Sequence, residues 1–246
     1  MSTSTIVLIS GANRGIGLGL FKHYIALPNH IVIAANRDIY SSSSKALNDL
    51  PKGEGSKAIL VKVEAVIQDD AFQAVEQLKQ QGIERIDIVI ANAGISNTFP
   101  TVAKLKISDL DAHIRVNVYG VVWLYQATLP LLHKSSNPKF INVGSLAGSF
   151  EASPNWPNSA YGTSKAAIHW LTRRIHFEEP NIVAFVISPG LTQTDMGNAG
   201  ARLFGLDEAP VTVEDCVNGM VDAIDKSTKE THSGRLVSYT SEFSPW

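Results

Sequence analysis

Ile6-Val7-Leu8-Ile9-Ser10-Gly11-Ala12-Asn13-Arg14-Gly15-Ile16-Gly17 is the stretch on which the fold turns. Its first four residues form a continuous apolar run, the pattern of a short strand buried on both faces of a parallel sheet. Glycines at 11, 15 and 17 let the backbone turn tightly and let a phosphate come close to it. Ile16, Leu20 and Tyr24 then recur every four residues, so a helix follows whose N-terminal amides point at that anion. The spacing G-x-x-x-G-x-G departs from the G-x-G-x-x-G dinucleotide fingerprint, and no Gly-Lys-Ser/Thr end makes it a P-loop. A glycine turn that serves only packing is the competing reading. On the ligand-binding reading, Gly11, Asn13, Arg14, Gly15, Ile16 and Gly17 are the cofactor candidates.

Working outward, a second strand over 31–35 ends in Asn36-Arg37-Asp38, about twenty residues past the glycines, where such folds meet an adenosine ribose. An acidic tip would bond the 2′-hydroxyl and repel a 2′-phosphate. Here Asn36 and Arg37 come first, and Arg14 stands in the glycine loop, so two guanidiniums converging on one phosphate favour NADP over NAD. If Asp38 turns inward instead, the arginines are unrelated surface residues. A third strand over 58–63 follows a serine run and a short helix and carries Glu64 at its tip, a candidate acceptor for an adenine amino group. After an amphipathic helix bearing Phe72, Val75 and Leu78, a fourth strand over 86–90 runs into Asn92-Ala93-Gly94. These small residues allow a cofactor near the backbone, and Asn92 is suited to tying neighbouring strands together.

A long helical stretch from Ser108 to about Leu132 holds Asn117 among apolar neighbours, where its amide needs partners and can hold a water or kink the backbone. A fifth strand over 140–145 delivers Ser145 to the same edge as Gly94; with Val143 two residues before it, Ser145 is in no G-x-S-x-G elbow. A sixth strand over 182–187 leads to Pro189, Gly190, Thr192 and Thr194, and Leu236-Val237 makes a seventh. Strands alternating with helices imply one doubly wound parallel α/β sheet, a single domain over 1–246, with ligands at the carboxyl ends of the strands. Substrate loops are expected near 95–105 and 146–160 and a lid over 190–208, with Phe99, Phe150, Trp156 and Phe204 as pocket candidates.

With 44% of its 246 residues hydrophobic, 18% charged and a net charge of -2, the chain carries no electrostatic footprint for nucleic acid or an anionic membrane. Cys216 is the lone cysteine and no Asn-x-Ser/Thr acceptor occurs, so a reducing compartment is expected. The opening Met1-Ser2-Thr3-Ser4-Thr5 lacks a basic region and the apolar run after it is short for a signal peptide, so a soluble cytoplasmic protein is the plain reading. The seven histidines fall at no metal-ligand spacing, and no metal is expected.

Ser159-Ala160-Tyr161-Gly162-Thr163-Ser164-Lys165 carries the chemistry. In a helix, Tyr161 and Lys165 stand on one face, four residues apart. A phenol with a pKa near ~10 lies about 3 units from neutrality, a gap worth roughly 4 kcal/mol. One ammonium ~4 Å away supplies about that at an effective dielectric of ~20. The pair can therefore do acid–base work, although Tyr-x-x-x-Lys alone also describes a core tyrosine with a solvated lysine.

Taken together, Gly11, Gly15 and Gly17, Asn92-Ala93-Gly94, Asn117, Ser145, Tyr161 with Lys165, and Pro189-Gly190 with Thr194 resemble the short-chain dehydrogenase/reductase family over nearly the whole chain. The pair Arg14 and Arg37 is similar to NADP-preferring members. The tail from Ser233 to Trp246 resembles the carbonyl-reductase subgroup that includes fungal norsolorinic acid ketoreductases and sniffer-like and C-factor-like proteins. The resemblance implies a Rossmann-type sheet and reduction of a ketone or aldehyde by NADP(H). In it Tyr161 protonates the carbonyl oxygen, Lys165 lowers the phenol pKa and holds the nicotinamide ribose, and Ser145 bonds the oxygen. Asn117 holds a relay water, and Thr192 and Thr194 orient the nicotinamide amide. It also implies a homodimer or homotetramer through helices at 108–132 and 160–178. Ser10, Glu64, Ala91 and Gly144 depart from the usual family residues without removing a reacting group. A sensor or scaffold that binds NADP without turnover, and an NAD-dependent alcohol dehydrogenase, are the competing functions.

Overall fold

The computed structural model describes residues 4–246; Met1, Ser2 and Thr3, part of the opening stretch read above for a leader, lie outside the described residues. The apolar run at the start becomes β1 (Thr5–Ser10), the glycine turn follows, and α1 (Gly15–Ala26) leads to β2 (His30–Asn36). Then come α2 (Ser42–Lys45), β3 (Lys57–Lys62), α3 (Gln68–Gln80) and β4 (Ile88–Ala91). The second half supplies α4 (Ile107–Ile114), α5 (Gly120–Leu132), β5 (Lys139–Val143), α6 (Ser159–Glu178), β6 (Val183–Ser188), α7 (Asp195–Leu203), α8 (Val213–Lys226), β7 (Leu236–Ser238) and β8 (Phe243–Ser244).

The strands form one sheet in the order β3-β2-β1-β4-β5-β6-β7-β8. Strand pairing is parallel from β3 to β7 and antiparallel only between β7 and β8. The sheet thus has eight strands where seven parallel ones were expected. After β7 the chain reverses through Ser241, which sits in the left-handed region at φ 65°, and Ser238 donates its amide to the Glu242 carbonyl at 2.7 Å. Two residues of strand carry no periodicity, so the sequence held no signal for β8.

Alternate residues of β1 enter opposite layers. Ile6 and Leu8 pack with Val75 and Leu78 of α3, Leu124 and Leu131 of α5 and Ile168 of α6. Val7 and Ile9 pack with Leu20 and Phe21 of α1 and Val217 and Met220 of α8. A strand covered on both faces has to be apolar throughout, which is why this stretch reads as a run. Because the chain crosses from β3 back over β1 to β4, the order reverses between β1 and β4, and the crevice at their carboxyl ends is where such sheets bind ligands.

Two local expectations change. The serine run is itself the short helix α2, with the Ser41 hydroxyl accepting the Ser44 amide as its cap. The helix expected over 108–132 is interrupted at Arg115–Tyr119 by one wider π turn centred on Asn117. At the start of α8 Thr212 Oγ1 accepts the Asp215 amide at 3.0 Å and caps the helix.

Candidate active site

The glycine loop is shaped by backbone that side chains disfavour and by space that they would fill. Gly11 and Gly15 lie at φ 66° and 53°, in the left-handed region. A Cβ on Gly17 would stand 2.2 Å from the Gly11 carbonyl oxygen and 2.6 Å from Asn92 Nδ2. Three polar side chains pin this loop. Asn92 Nδ2 donates to the carbonyls of Ser10 (2.9 Å) and Gly11 (3.2 Å), and Ser10 Oγ accepts the amides of Asn92 and Ala93, both at 3.0 Å. Asn36, buried, accepts the Ala12 amide at 2.8 Å and donates to Ser44 Oγ at 3.2 Å. Asn36 was expected to meet the ribose; its amide is spent instead on holding the loop, a correction with a plain cause in those two bonds. Gly17→Ala is expected to lower stability by about 1–3 kcal/mol, the usual range for overpacking, and a lower denaturant midpoint would read it out.

Beyond the loop opens a cleft of about 1290 Å³, lined by Gly11, Asn13, Arg14, Gly15, Ile16, Arg37, Glu64, Asn92, Gly94, Tyr161, Lys165, Pro189 and Thr194 among others. It runs from the tips of β2 and β3 to the start of α6. A dinucleotide fits this donor set: glycine amides at a helix N-terminus for the pyrophosphate, basic side chains at one end and Tyr161 with Lys165 at the other. Arg14 pairs with Asp195 across the mouth at 3.6 Å, and Arg37 pairs with Glu64 at 3.7 Å. The two guanidiniums therefore point to separate carboxylates and not to one spot, and Glu64 offers its oxygens to Arg37.

At the far end, β5 delivers Ser145 and the first turns of α6 deliver Tyr161 and Lys165. Lys165 is 5% exposed; its Nζ donates to the Val143 carbonyl at 2.7 Å and lies 5.6 Å from the centre of the Tyr161 ring. Burial lowers the ammonium pKa to about 8. Burial also raises the Tyr161 phenol above its ordinary value, while the Ser145 hydroxyl beside it acts the other way. In this arrangement desolvation dominates and the ammonium is turned to the Val143 carbonyl, so the phenol lies above its ordinary value. A phenol held above its usual pKa keeps its proton at neutral pH, which suits an acid.

Asn117 sits at the π turn, where its Oδ1 accepts the Ile95 amide (2.8 Å) and its Nδ2 donates to the Ile95 carbonyl (3.0 Å) and Ser164 Oγ (2.9 Å). Both amide hydrogens are used, so Asn117 locks the loop after β4 to α6. A Cβ on Gly94 would stand 3.2 Å from Asn117 Oδ1 and 3.7 Å from Lys165 Nζ, so both groups border the same small space.

Other candidates are dispersed. Phe150 is 89% exposed and faces solvent, because its loop turns outward after Ser149 Oγ bonds the Pro245 carbonyl. Phe99, Trp156 and Phe204 do meet: Trp156 stacks on Phe204 at 4.0 Å between ring centres, and Phe99 meets Phe204 edge-on at 5.6 Å. This cluster joins the loops at 95–105 and 146–160 to the end of α7. Thr192 is buried with its hydroxyl donated to the Pro189 carbonyl at 2.8 Å, so that hydroxyl serves the loop; Thr194 caps α7 by accepting the Gly197 amide at 3.0 Å. Gly190, at φ 70°, makes the turn ahead of Thr194, which lines the cleft, while Thr192 stays buried beside it.

Sequence reasoning missed four residues here. His113, buried, packs edge-on to Tyr161 at 6.5 Å and accepts the Asn97 amide. Ser41 and Ser43 line the cleft near Arg37, Ser43 accepting from Asn13 Nδ2 at 2.9 Å. His169 lies under Ser145. Only the serine run carried a signal, and it read as a polar connection. Among the described residues no three His, Cys, Asp or Glu side chains gather as a metal site, and no helix is long and apolar enough to cross a membrane.

The chain is similar to known proteins over its full extent. The family model described as short chain dehydrogenase matches residues 5–202. A norsolorinic acid ketoreductase of Dothistroma septosporum is 41% identical over 242 residues, covering 96% of this chain and 90% of that protein. The norsolorinic acid ketoreductase of Aspergillus parasiticus is 39% identical over 96% of this chain and 89% of its own. Among solved structures, the NADPH-bound carbonyl reductase from chicken fatty liver superposes with a TM-score of 0.86 at 27% identity, covering all of both chains. The carbonyl reductase Sniffer of Drosophila melanogaster shares the fold, with a TM-score of 0.86 at 24% identity and full coverage of both. With its glycine loop, its switch-point cleft and this set of relatives, the chain belongs to the short-chain dehydrogenase family.

Proposed function

We propose that the chain is an NADPH-dependent ketoreductase that reduces an apolar ketone or aldehyde to the alcohol, with Tyr161 as general acid. The observation that carries this reading is that Tyr161 and Lys165 line the end of the cleft that begins at the glycine loop, with the Ser145 hydroxyl beside the phenol. The ketoreductase relatives support the carbonyl substrate, and the NADPH-bound neighbour supports the cofactor.

NADPH, when bound, supplies the hydride. The chain's own groups manage the oxygen. Ser145 donates a hydrogen bond to the carbonyl oxygen, and that bond strengthens as negative charge develops there. Tyr161, kept protonated by burial, gives its proton to the same oxygen. Lys165, charged below about pH 8, stabilises the phenolate left behind. Asn117 fixes Ile95 and Ser164 around this set, and its Oδ1 beside Lys165 suits a relay water that returns the proton. Glycine amides of 11–17, with Asn13 and Ile16, hold the pyrophosphate. Ala93, Gly94, Pro189, Gly190 and Thr194 border the nicotinamide end. Phe99, Trp156 and Phe204 close over the substrate from loops and lid.

Arg14 and Arg37 select the 2′-phosphate by exchanging their carboxylate partners for it. Both are well exposed, so solvent weakens each contact. Arg37→Ala is expected to weaken NADP(H) binding by about tenfold, one charge-assisted bond's worth, and to leave NAD(H) nearly unchanged. Fluorescence titration with both nucleotides reads the ratio; equal losses for the two would remove Arg37 from the phosphate site. The exposed faces of Tyr119, Trp170 and Phe177 on the π turn and α6 suit a homo-oligomer. One buried thiol, Cys216, suits a reducing cytoplasm.

A further inference from the structure

His169 lies one turn beyond Lys165 on α6, 3% exposed, and touches the back of the site. Its Nε2 accepts the Ser145 amide at 3.4 Å, a long bond, and its ring lies 5.8 Å from that of Trp246, which backs it. Nδ1 is buried without a partner in hydrogen-bond geometry. The space that the imidazole occupies depends on the preceding residue. A Cβ on Gly144 would stand 2.6 Å from His169 Nε2 and 2.2 Å from Val186 Cγ1. Gly144, one of the departures from the family's usual residues, therefore leaves the gap that lets a ring reach the Ser145 amide. Burial and the neighbouring Lys165 ammonium hold the imidazole pKa down to about 3; the Gly148 backbone acts the other way without reaching hydrogen-bond geometry at Nδ1. The ring is consequently neutral. With Nε2 accepting, its proton rests on Nδ1.

We propose that His169 is a positioning residue for Ser145, its Nε2 acting as the acceptor that fixes where β5 ends and hence where the serine hydroxyl points. This rests on the reading that Ser145 bonds the carbonyl oxygen. The hydroxyl is held on its other side by the Ala147 amide, which donates to Ser145 Oγ at 3.2 Å, so Ser145 is held at both its amide and its hydroxyl. Displacing such a group by a fraction of an ångström affects an interaction formed most strongly in the transition state, so kcat responds and nucleotide binding does not.

The test is a pair of amides. A glutamine at 169 can place its terminal oxygen where Nε2 lies, whereas an asparagine reaches only to the position of Nδ1. His169→Asn is expected to lower kcat roughly ten- to hundredfold, with the NADPH dissociation constant unchanged, and His169→Gln to recover most of the loss. In a Ser145→Ala background the Asn and Gln variants are expected to have equal kcat, because the group being positioned is gone. Equal kcat for Asn and Gln in the wild-type background, or an undiminished gap between them without Ser145, would overturn the proposal. Were Ser145→Ala itself to turn over normally, the role of Ser145 would fall first, an outcome separate from failure at His169. Thermal melts of all variants identify any loss that is only misfolding.

Discussion

Tyr161→Phe is expected to cut carbonyl reduction by about 10²- to 10⁴-fold, the range that a positioned general acid contributes, and to leave NADPH affinity within about twofold of the parent. The substitution deletes one oxygen. The ring still packs edge-on to His113 and still lies against Lys165, so the shape of the cleft is retained. Stability should change little: the phenol is neutral at neutral pH, and its removal takes one neighbour from the Ser145 hydroxyl. The combination separates the two principal readings. A protein that only senses NADP would keep its binding and have no rate to lose. Steady-state oxidation of NADPH alongside fluorescence titration measures both quantities on one preparation, and a variant with near-normal rate would remove Tyr161 from the reaction.

Lys165 is expected to set the pH dependence. Its pKa of about 8 means that the ammonium is present at neutral pH and is lost on the alkaline side, while Tyr161, shifted upward, keeps its proton across the same range. The reduction rate should therefore stay level through neutrality and fall about tenfold per pH unit above pH ~8, with one proton involved. Folding stability moves the opposite way. Between about pH 8 and the ordinary lysine value of 10.5, the unfolded chain binds a proton that the folded chain does not, so this group's contribution to stability rises with pH. A falling rate accompanied by undiminished stability thus identifies loss of the charge and not unfolding. Lys165→Met, which keeps the length and removes the charge, is expected to lose about 10²-fold or more at pH 7 and to show no alkaline limb. An unchanged alkaline limb in that variant would assign the titration to another group.

Much of this architecture could be read from residue order because a doubly wound sheet imposes its own pattern. Strands covered on both faces must be apolar throughout, and Ile6–Ile9 and Val183–Ile187 announce themselves for that reason. Glycines at a strand's end have few other uses, so the loop at 11–17 marked the cleft. The antiparallel β8 was invisible because two residues are too few for any period. The π turn was hidden because the apolar spacing continues on either side of it; Asn117, an amide among apolar neighbours, was its marker. Side-chain partners were the least legible. Asn36 and Arg37 are neighbours at the tip of β2, yet one turns in to the Ala12 amide and the other out to Glu64, a division that tertiary contacts make and sequence does not record. Phe150 and Trp156 share a loop rich in small residues and proline, and only Trp156 finds a ring to stack on. His169 stood one turn past a recognised lysine with no pattern of its own. What exposes its position is the absence of a side chain at Gly144, which matters only once β5 and α6 are packed together.

The proposed function requires that the cleft between β1 and β4 end in a working acid for carbonyl reduction. The measurement that bears on it is the oxidation of NADPH by the purified chain across a panel of aliphatic and aromatic ketones and aldehydes, with NADPH deuterated at the transferred position. Saturable, carbonyl-dependent oxidation that delivers the deuterium to the carbonyl carbon of the alcohol is the result predicted. Tight NADPH binding with no carbonyl-dependent oxidation anywhere in the panel would contradict the account.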